Sequence, residues 1–261
     1  MKTIAVANQK GGVGKTTIAR NLAFFAMKQN LKVLCIDFDP QRNFSKTFKL
    51  LAQQQQSEMD LNRPWLTSSE LFLENLPEDL SPLPCSSNSA LIAADKSLVD
   101  LSTSTMDNLM NPAQHLAEIG DDYDVCIIDT APTLGYPLYA ALIAADYALC
   151  PCTMDQDAID GLTDLFEDIA RVQQLGWNPE LVNLGLIANR VNARRSFDRN
   201  ALSALRDELP DTVFDAVLYD RAATQYAKDH PVWKGRSGQS QILAAKEMTK
   251  ACEQIFEKAG I

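Results

Sequence analysis

Short apolar runs alternate with stretches of helical periodicity along almost the whole chain. The runs predict strands at Thr3–Asn8, Lys32–Asp37, Ala90–Ala93, Asp124–Asp129, Tyr147–Pro151, Val182–Asn189 and Thr212–Leu218. Most lack strict apolar/polar alternation, the pattern of strands covered on both faces. Between them, helices are predicted at about Thr16–Asn30, Tyr136–Ala144, Ile159–Leu175, Ser196–Leu209 and Gln239–Lys258. In the Ile159 helix, Leu162, Leu165, Phe166, Ile169 and Val172 recur at steps of three and four, an apolar stripe that faces a sheet. The order predicts an α/β fold: a mostly parallel twisted sheet with helices on both faces. A single domain over residues 1–261 is expected, with a less regular region at about 43–89 read as helices and long loops covering one edge. That region holds a Gln53–Gln56 tract, read as the extension of a solvated helix, and the Pro- and Ser-rich run Ser81–Ser89.

Composition narrows the class. The 261 residues are 46% hydrophobic and 22% charged, an ordinary globular balance. No signal-peptide hydrophobic region precedes Gly11, and no run approaches the roughly 18 apolar residues of a membrane span. Three of the six cysteines sit in strand-like runs, so all read as small core residues of a reducing cytoplasm. Cys150 and Cys152 lack the further ligands of a zinc site. The net charge of -10 argues against a protein that wraps nucleic acid with its whole surface.

The chemistry gathers in TIAVANQKGGVGKTT, residues 3–17, where a strand passes through a glycine-rich turn into a helix. Glycines let backbone N–H groups turn inward, and the helix N-terminus adds a positive dipole end, together a phosphate cradle. Lys15 is placed to reach the β- and γ-phosphates and the Thr16 hydroxyl to ligate Mg²⁺. The loop departs from G-x-x-x-x-G-K-[ST], because Gln9 holds the first glycine position and a second lysine, Lys10, appears early. Lys10 either adds charge in cis or points to a nucleotide held by a second subunit. Two further strand ends are acidic: LCIDFDPQ carries Asp37 and Asp39, and VCIIDTAP carries Asp129. Carboxylates at the carboxyl ends of parallel strands face the ligand crevice of open α/β sheets, and an apolar strand ending in Asp is the Walker B arrangement for Mg²⁺.

KGGVGKTT at Lys10–Thr17, DFDPQ at Asp37–Gln41 and CIIDTAP at Cys126–Pro132 resemble the deviant Walker A ATPases of the ParA type, in the superfamily that includes Soj and MinD. Looser similarity runs through LIAAD, AALIAADYALCPC and AIDGLTDL. The resemblance implies a P-loop NTPase fold of the deviant Walker A (SIMIBI) type, with ATP and Mg²⁺ as cofactors and slow, partner-stimulated ATP hydrolysis. It implies that Lys10 crosses the interface of an ATP-dependent homodimer and that Lys10, Lys15 and Asp39 serve catalysis, Asp39 by positioning the attacking water. The nucleotide would lie on Lys10, Gly11, Gly12, Val13, Gly14, Lys15, Thr16 and Thr17, with Asn189 at the adenine. Thr16, Asp129 and Asp39 would serve the metal. The implied role is partition of plasmid or chromosomal DNA with a centromere-binding, ParB-like partner, by a cytoplasmic protein that joins the nucleoid when ATP-bound. The alternative within the superfamily is positioning of a non-DNA cargo, such as a chemoreceptor cluster, carboxysome or cellulose synthase complex.

Charge is segregated along the chain. Leu186–Arg206 holds five arginines against one acid, a local +4; Arg221–Gly238 holds four basic residues against one acid, a local +3; Asp146–Glu180 holds eight acids against one base, a local -7. Non-specific DNA contact is therefore expected from Arg194, Arg195, Arg199, Arg221, Lys234 and Arg236, where Arg194 matches a DNA-contacting position of the family. On a Ser196–Leu209 helix, Arg195, Arg199 and Arg206 fall within about 40° of one another. Ala222 and Ala223 stand where relatives tend to carry another arginine. The near-neutral AKEMTKACEQIFEKAGI reads as a packed final helix rather than a membrane anchor. An iron–sulfur carrier would need C-x-x-C, and a metabolic kinase would not need Lys10. With the motif at residue 10, the short form without an amino-terminal helix-turn-helix domain is expected.

Overall fold

The computed structural model describes residues 1–55, 63–103, 106–133, 135–235 and 238–261. Eight strands form one sheet in the order β3-β4-β2-β5-β1-β6-β7-β8. These are β1 (Lys2–Val6), β2 (Val33–Phe38), β3 (Leu83–Ser86), β4 (Ser89–Ile92), β5 (Val125–Thr130), β6 (Tyr147–Cys152), β7 (Val182–Val191) and β8 (Val213–Tyr219). Every neighbouring pair is parallel except β3 with β4. All six residues of β2 and of β5 are buried, which explains the absence of alternation in their sequences.

The helices cover both faces. On one side α1 (Lys15–Lys28), α2 (Asn43–Gln55) and α8 (Gln239–Ala259) pack Leu22, Phe48 and Phe256 into one apolar cluster. On the other, α4 (Tyr136–Ala144), α5 (Gln156–Gln174) and α6 (Ser196–Glu208) pack Leu142, Leu165 and Leu205 into a second. The short α3 (Asn111–Ile119) and α7 (Ala222–Tyr226) complete the set. No helix among the described residues is long and apolar enough to cross a membrane.

The seven expected strands and five expected helices all form, with ends shifted by up to about three residues. The 43–89 region is more regular than expected, since α2 and the hairpin β3–β4 lie within it. Pro84 pairs with Ala90 in the antiparallel β3, an edge strand, where a missing N–H is tolerated. The glutamine tract extends α2 through Gln55; Gln56 lies outside the described residues. All six cysteines are buried and unpaired.

Strand order fixes where chemistry can occur. β1 and β5 are neighbours whose outgoing crossovers run in opposite directions, β1 through α1 to β2 and β5 through α4 to β6, which opens a crevice at their carboxyl ends. The turn after β1 lies at that crevice, between the ends of β5 and β6, with the end of β2 one strand further on.

Candidate functional site

The loop between β1 and α1 is pinned at its start. Asn8, fully buried, donates its side-chain amide to the Pro151 carbonyl at 2.8 Å and accepts from the Lys10 N–H at 2.8 Å. Gly12 and Gly14 have φ of +80° and +97°, the left-handed region that glycine enters without Cβ strain. Lys15 opens α1 only 6% exposed, its Nζ donating to the carbonyls of Asn8 at 2.7 Å and Lys10 at 3.0 Å. Burial lowers its pKa, while Asp129 and Asp39 favour the ammonium form.

Asp37 and Asp129 are register partners at the ends of β2 and β5, and Val6 is the partner of Asp129 on its other side. Their roles differ. Asp37 accepts from Ser45 N at 2.7 Å, Ser45 Oγ at 2.6 Å and Asp39 N at 3.0 Å, so it ties α2 and the acidic turn to the sheet. Burial still lifts its pKa to about 6. Asp129 is fully buried and neither carboxylate oxygen has a hydrogen-bond partner. Burial and then Asp37 push its pKa well above the carboxylate range, only partly opposed by the nearby Thr16 hydroxyl and Lys15. A buried carboxylate in that condition is costly unless a cation answers it.

Those residues fit a magnesium ion. The orphaned Asp129 carboxylate and the Thr16 hydroxyl supply hard oxygen donors, and no cluster of three or more His, Cys, Asp or Glu ligands occurs among the described residues. Mg²⁺ characteristically binds through one or two protein groups plus waters and substrate phosphates.

Lys15, Thr16, Thr17, Arg20, Asp39 and Thr130 line a cavity of about 660 Å³. Asp39 is 8% exposed there, and its Oδ1 accepts from Gln41 N at 2.9 Å. A second cavity, about 310 Å³, shares Gly12, Gly14, Thr17 and Gln225 with the first and adds Asn189 and Tyr219. Asn189 is 4% exposed and donates Nδ2 to the Val13 carbonyl at 2.7 Å. Val13 is a core residue and Gly11 is exposed. The Lys10 backbone belongs to the loop, while its side-chain ammonium pairs with Asp155, the N-cap of α5. Hydrogen bonds from Lys10, Thr153 and the Ala158 N–H outweigh burial and lower the Asp155 pKa.

Among the expected DNA contacts, Arg194, Arg195, Arg199 and Lys234 are exposed. Arg195 stands at the N-cap position of α6 without a side-chain capping bond, and Arg199 reaches back to the Ala193 carbonyl at 2.8 Å. Arg206 is less free, donating to the Asp215 carbonyl at 3.1 Å. Arg221 is held by Glu247 of α8 through both Nε and a terminal nitrogen at 2.6–3.0 Å, which answers its charge inside the fold. Arg236 lies outside the described residues. Sequence reasoning did not single out Asp155 or Glu247, whose partners are 145 and 26 residues away in the chain.

The AAA domain family matches residues 1–182. Protein IncC of Escherichia coli is 32% identical over 270 residues, covering 100% of this chain and 70% of IncC. The chromosome-partitioning ATPase Soj of Treponema pallidum is 29% identical, covering 99% of this chain and 98% of Soj. The chain belongs to the ParA-type partition ATPase family. Its fold agrees with that assignment: solved structures of a plasmid partition protein from Borrelia burgdorferi superpose with TM-score 0.74. The one bound to AMPPNP is 25% identical, covering 98% of this ParA-type chain and 97% of that chain.

Proposed function

We propose that this ParA-type chain is an ATP-driven switch that dimerises on ATP, binds DNA without sequence preference, and hydrolyses ATP slowly to partition plasmid or chromosomal DNA. A ParB-like partner at the centromere would stimulate hydrolysis and reset it. The observation that carries this reading is the orphaned, fully buried Asp129 carboxylate, whose electrostatic neighbours Lys15, Thr16 and Asp39 line one cavity.

The steps follow from the side chains. Gly12, Gly14, Lys15 and Thr17 hold the phosphates, with the base in the adjoining cavity at Asn189. Thr16 and Asp129 would hold Mg²⁺, which when bound would supply positive charge to offset the negative charge of the phosphates. Asp39 orients the attacking water from the rim of the same cavity. Little covalent chemistry falls to the protein, so positioning and electrostatics carry the rate. Lys10 must leave Asp155 to reach phosphates bound by a second subunit, which makes dimerisation and loss of that ion pair one event. Arg194, Arg195, Arg199 and Lys234 then present DNA-facing charge, doubled in the dimer. The protein would be cytoplasmic and associate with the nucleoid while ATP-bound.

One observation favours the second reading, positioning of a cargo other than DNA: Glu247 removes Arg221 from the available cations. Retention on non-specific DNA with ATP, with ADP and without nucleotide, across a salt series, separates the two. ATP-dependent, salt-sensitive retention supports partition on a DNA matrix. Equal weak retention in all three states supports the alternative.

A further inference from the structure

Two consecutive residues at the end of β7 reach the same loop. Asn189 Nδ2 donates to the Val13 carbonyl at 2.7 Å, and the Arg190 guanidinium donates to the Gly12 carbonyl at 3.2 Å. In a regular strand successive side chains point to opposite faces, so neighbours cannot both do this. Arg190 breaks the alternation with φ of +54°, a conformation that arginine seldom adopts. A non-glycine residue held there is a feature that surrounding structure must maintain. Asp220, just past β8, helps to hold the guanidinium, with Nε and Oδ1 4.0 Å apart.

The two carbonyls belong to adjacent peptides of the phosphate loop. A trans peptide points its N–H opposite to its C=O. Holding the Gly12 and Val13 carbonyls toward β7 therefore turns the N–H groups of Val13 and Gly14 away from it, into the hollow of the loop. Glycines flank Val13 on both sides, and they leave these peptides free to rotate unless something fixes them.

We propose that Arg190 is a positioning residue of the phosphate site. With Asn189 it clamps the loop from behind, so that two N–H donors face the phosphate before nucleotide arrives. This rests on reading residues 10–17 as the phosphate loop. The benefit is preorganisation: ordering the loop is not charged against binding.

Arg190→Gly separates the clamp from backbone strain, because glycine accepts the left-handed conformation but carries no guanidinium. ATP and inorganic tripolyphosphate are each competed against a fluorescent ATP analogue with Mg²⁺ present. The clamp predicts that Arg190→Gly weakens both about tenfold, the scale of one hydrogen bond, while the thermal midpoint without ligand is unchanged or higher. Arg190→Met, which keeps the stem and loses the fork, shows the same loss in a second background. Arg190→Lys, retaining one donor, recovers part of it. Wild-type affinity for both ligands in Arg190→Gly would overturn the proposal. So would a loss confined to ATP, which would place Arg190 at the base or ribose, since it also lines the second cavity. A wild-type chain that binds ATP but not tripolyphosphate would likewise contradict a preformed cradle. Failure of the phosphate-loop reading looks different: the wild-type chain binds neither ligand, or Lys15→Ala leaves both affinities intact.

Discussion

Asn189 Nδ2 occupies the place that a Cβ on Gly14 would need, 2.1 Å from its ideal position. Gly14 also has φ of +97°, so any side chain there meets a clash and a strained backbone together. Gly14→Ala should lose about 1–3 kcal/mol of stability and bind ATP more than tenfold more weakly. Thermal denaturation and equilibrium nucleotide binding check this; an unchanged midpoint with unchanged affinity would show that the loop is not built as described.

Asp129→Asn replaces a buried carboxyl whose charged form the protein alone does not answer. With magnesium chelated, the variant should be more stable than wild type at neutral pH. The sign follows from the raised folded pKa: the folded state holds a proton that the unfolded state releases above about pH 4. Stability contributed by that proton is present at low pH and lost as pH rises through the folded value. The gain from Asp129→Asn should therefore grow from pH 5 to pH 7, and a gain independent of pH would contradict it. The same variant should lose the magnesium dependence of nucleotide binding.

Asp39→Ala should bind ATP with near-normal affinity but hydrolyse it roughly 10²- to 10⁴-fold more slowly, the range for a lost proton acceptor or water-positioning group. Single-turnover hydrolysis with radiolabelled ATP measures this directly. Undiminished turnover would remove Asp39 from the catalytic step.

Replacing Arg194, Arg195 and Arg199 together with Glu should sharply weaken retention on non-specific DNA while leaving ATP-driven dimerisation in place. The slope of log affinity against log salt should fall by about 0.9 for each phosphate contact removed. Retention equal to wild type at low salt would clear those arginines of the role.

The sequence makes some of this fold far more legible than the rest. β2 and β5 are continuous apolar runs ending in Asp37 and Asp129, so both the strands and the carboxylates at their ends can be read directly. β3 cannot, because Leu83–Ser86 is four residues long with a proline inside, and only its antiparallel partner β4 makes it a strand. Asp37 and Asp39 look equivalent in DFDP. Only packing shows that Ser45 engages Asp37 while Asp39 stays on the cavity. The φ of Arg190 leaves no trace in composition or periodicity, so its contact with the loop is visible only in three dimensions. Local charge counts are likewise blind to Glu247, which answers Arg221 from a different helix. With a net charge of -10, DNA contact of the proposed kind would have to come from a small basic surface such as that of the exposed Arg194, Arg195 and Arg199.

ATP is expected to change the assembly state. Light scattering of the 28.8 kDa chain with Mg²⁺ should give about twice that mass with ATP in Asp39→Ala, and the monomer mass with ADP or in Lys15→Ala. A single mass in every nucleotide state would contradict the switch.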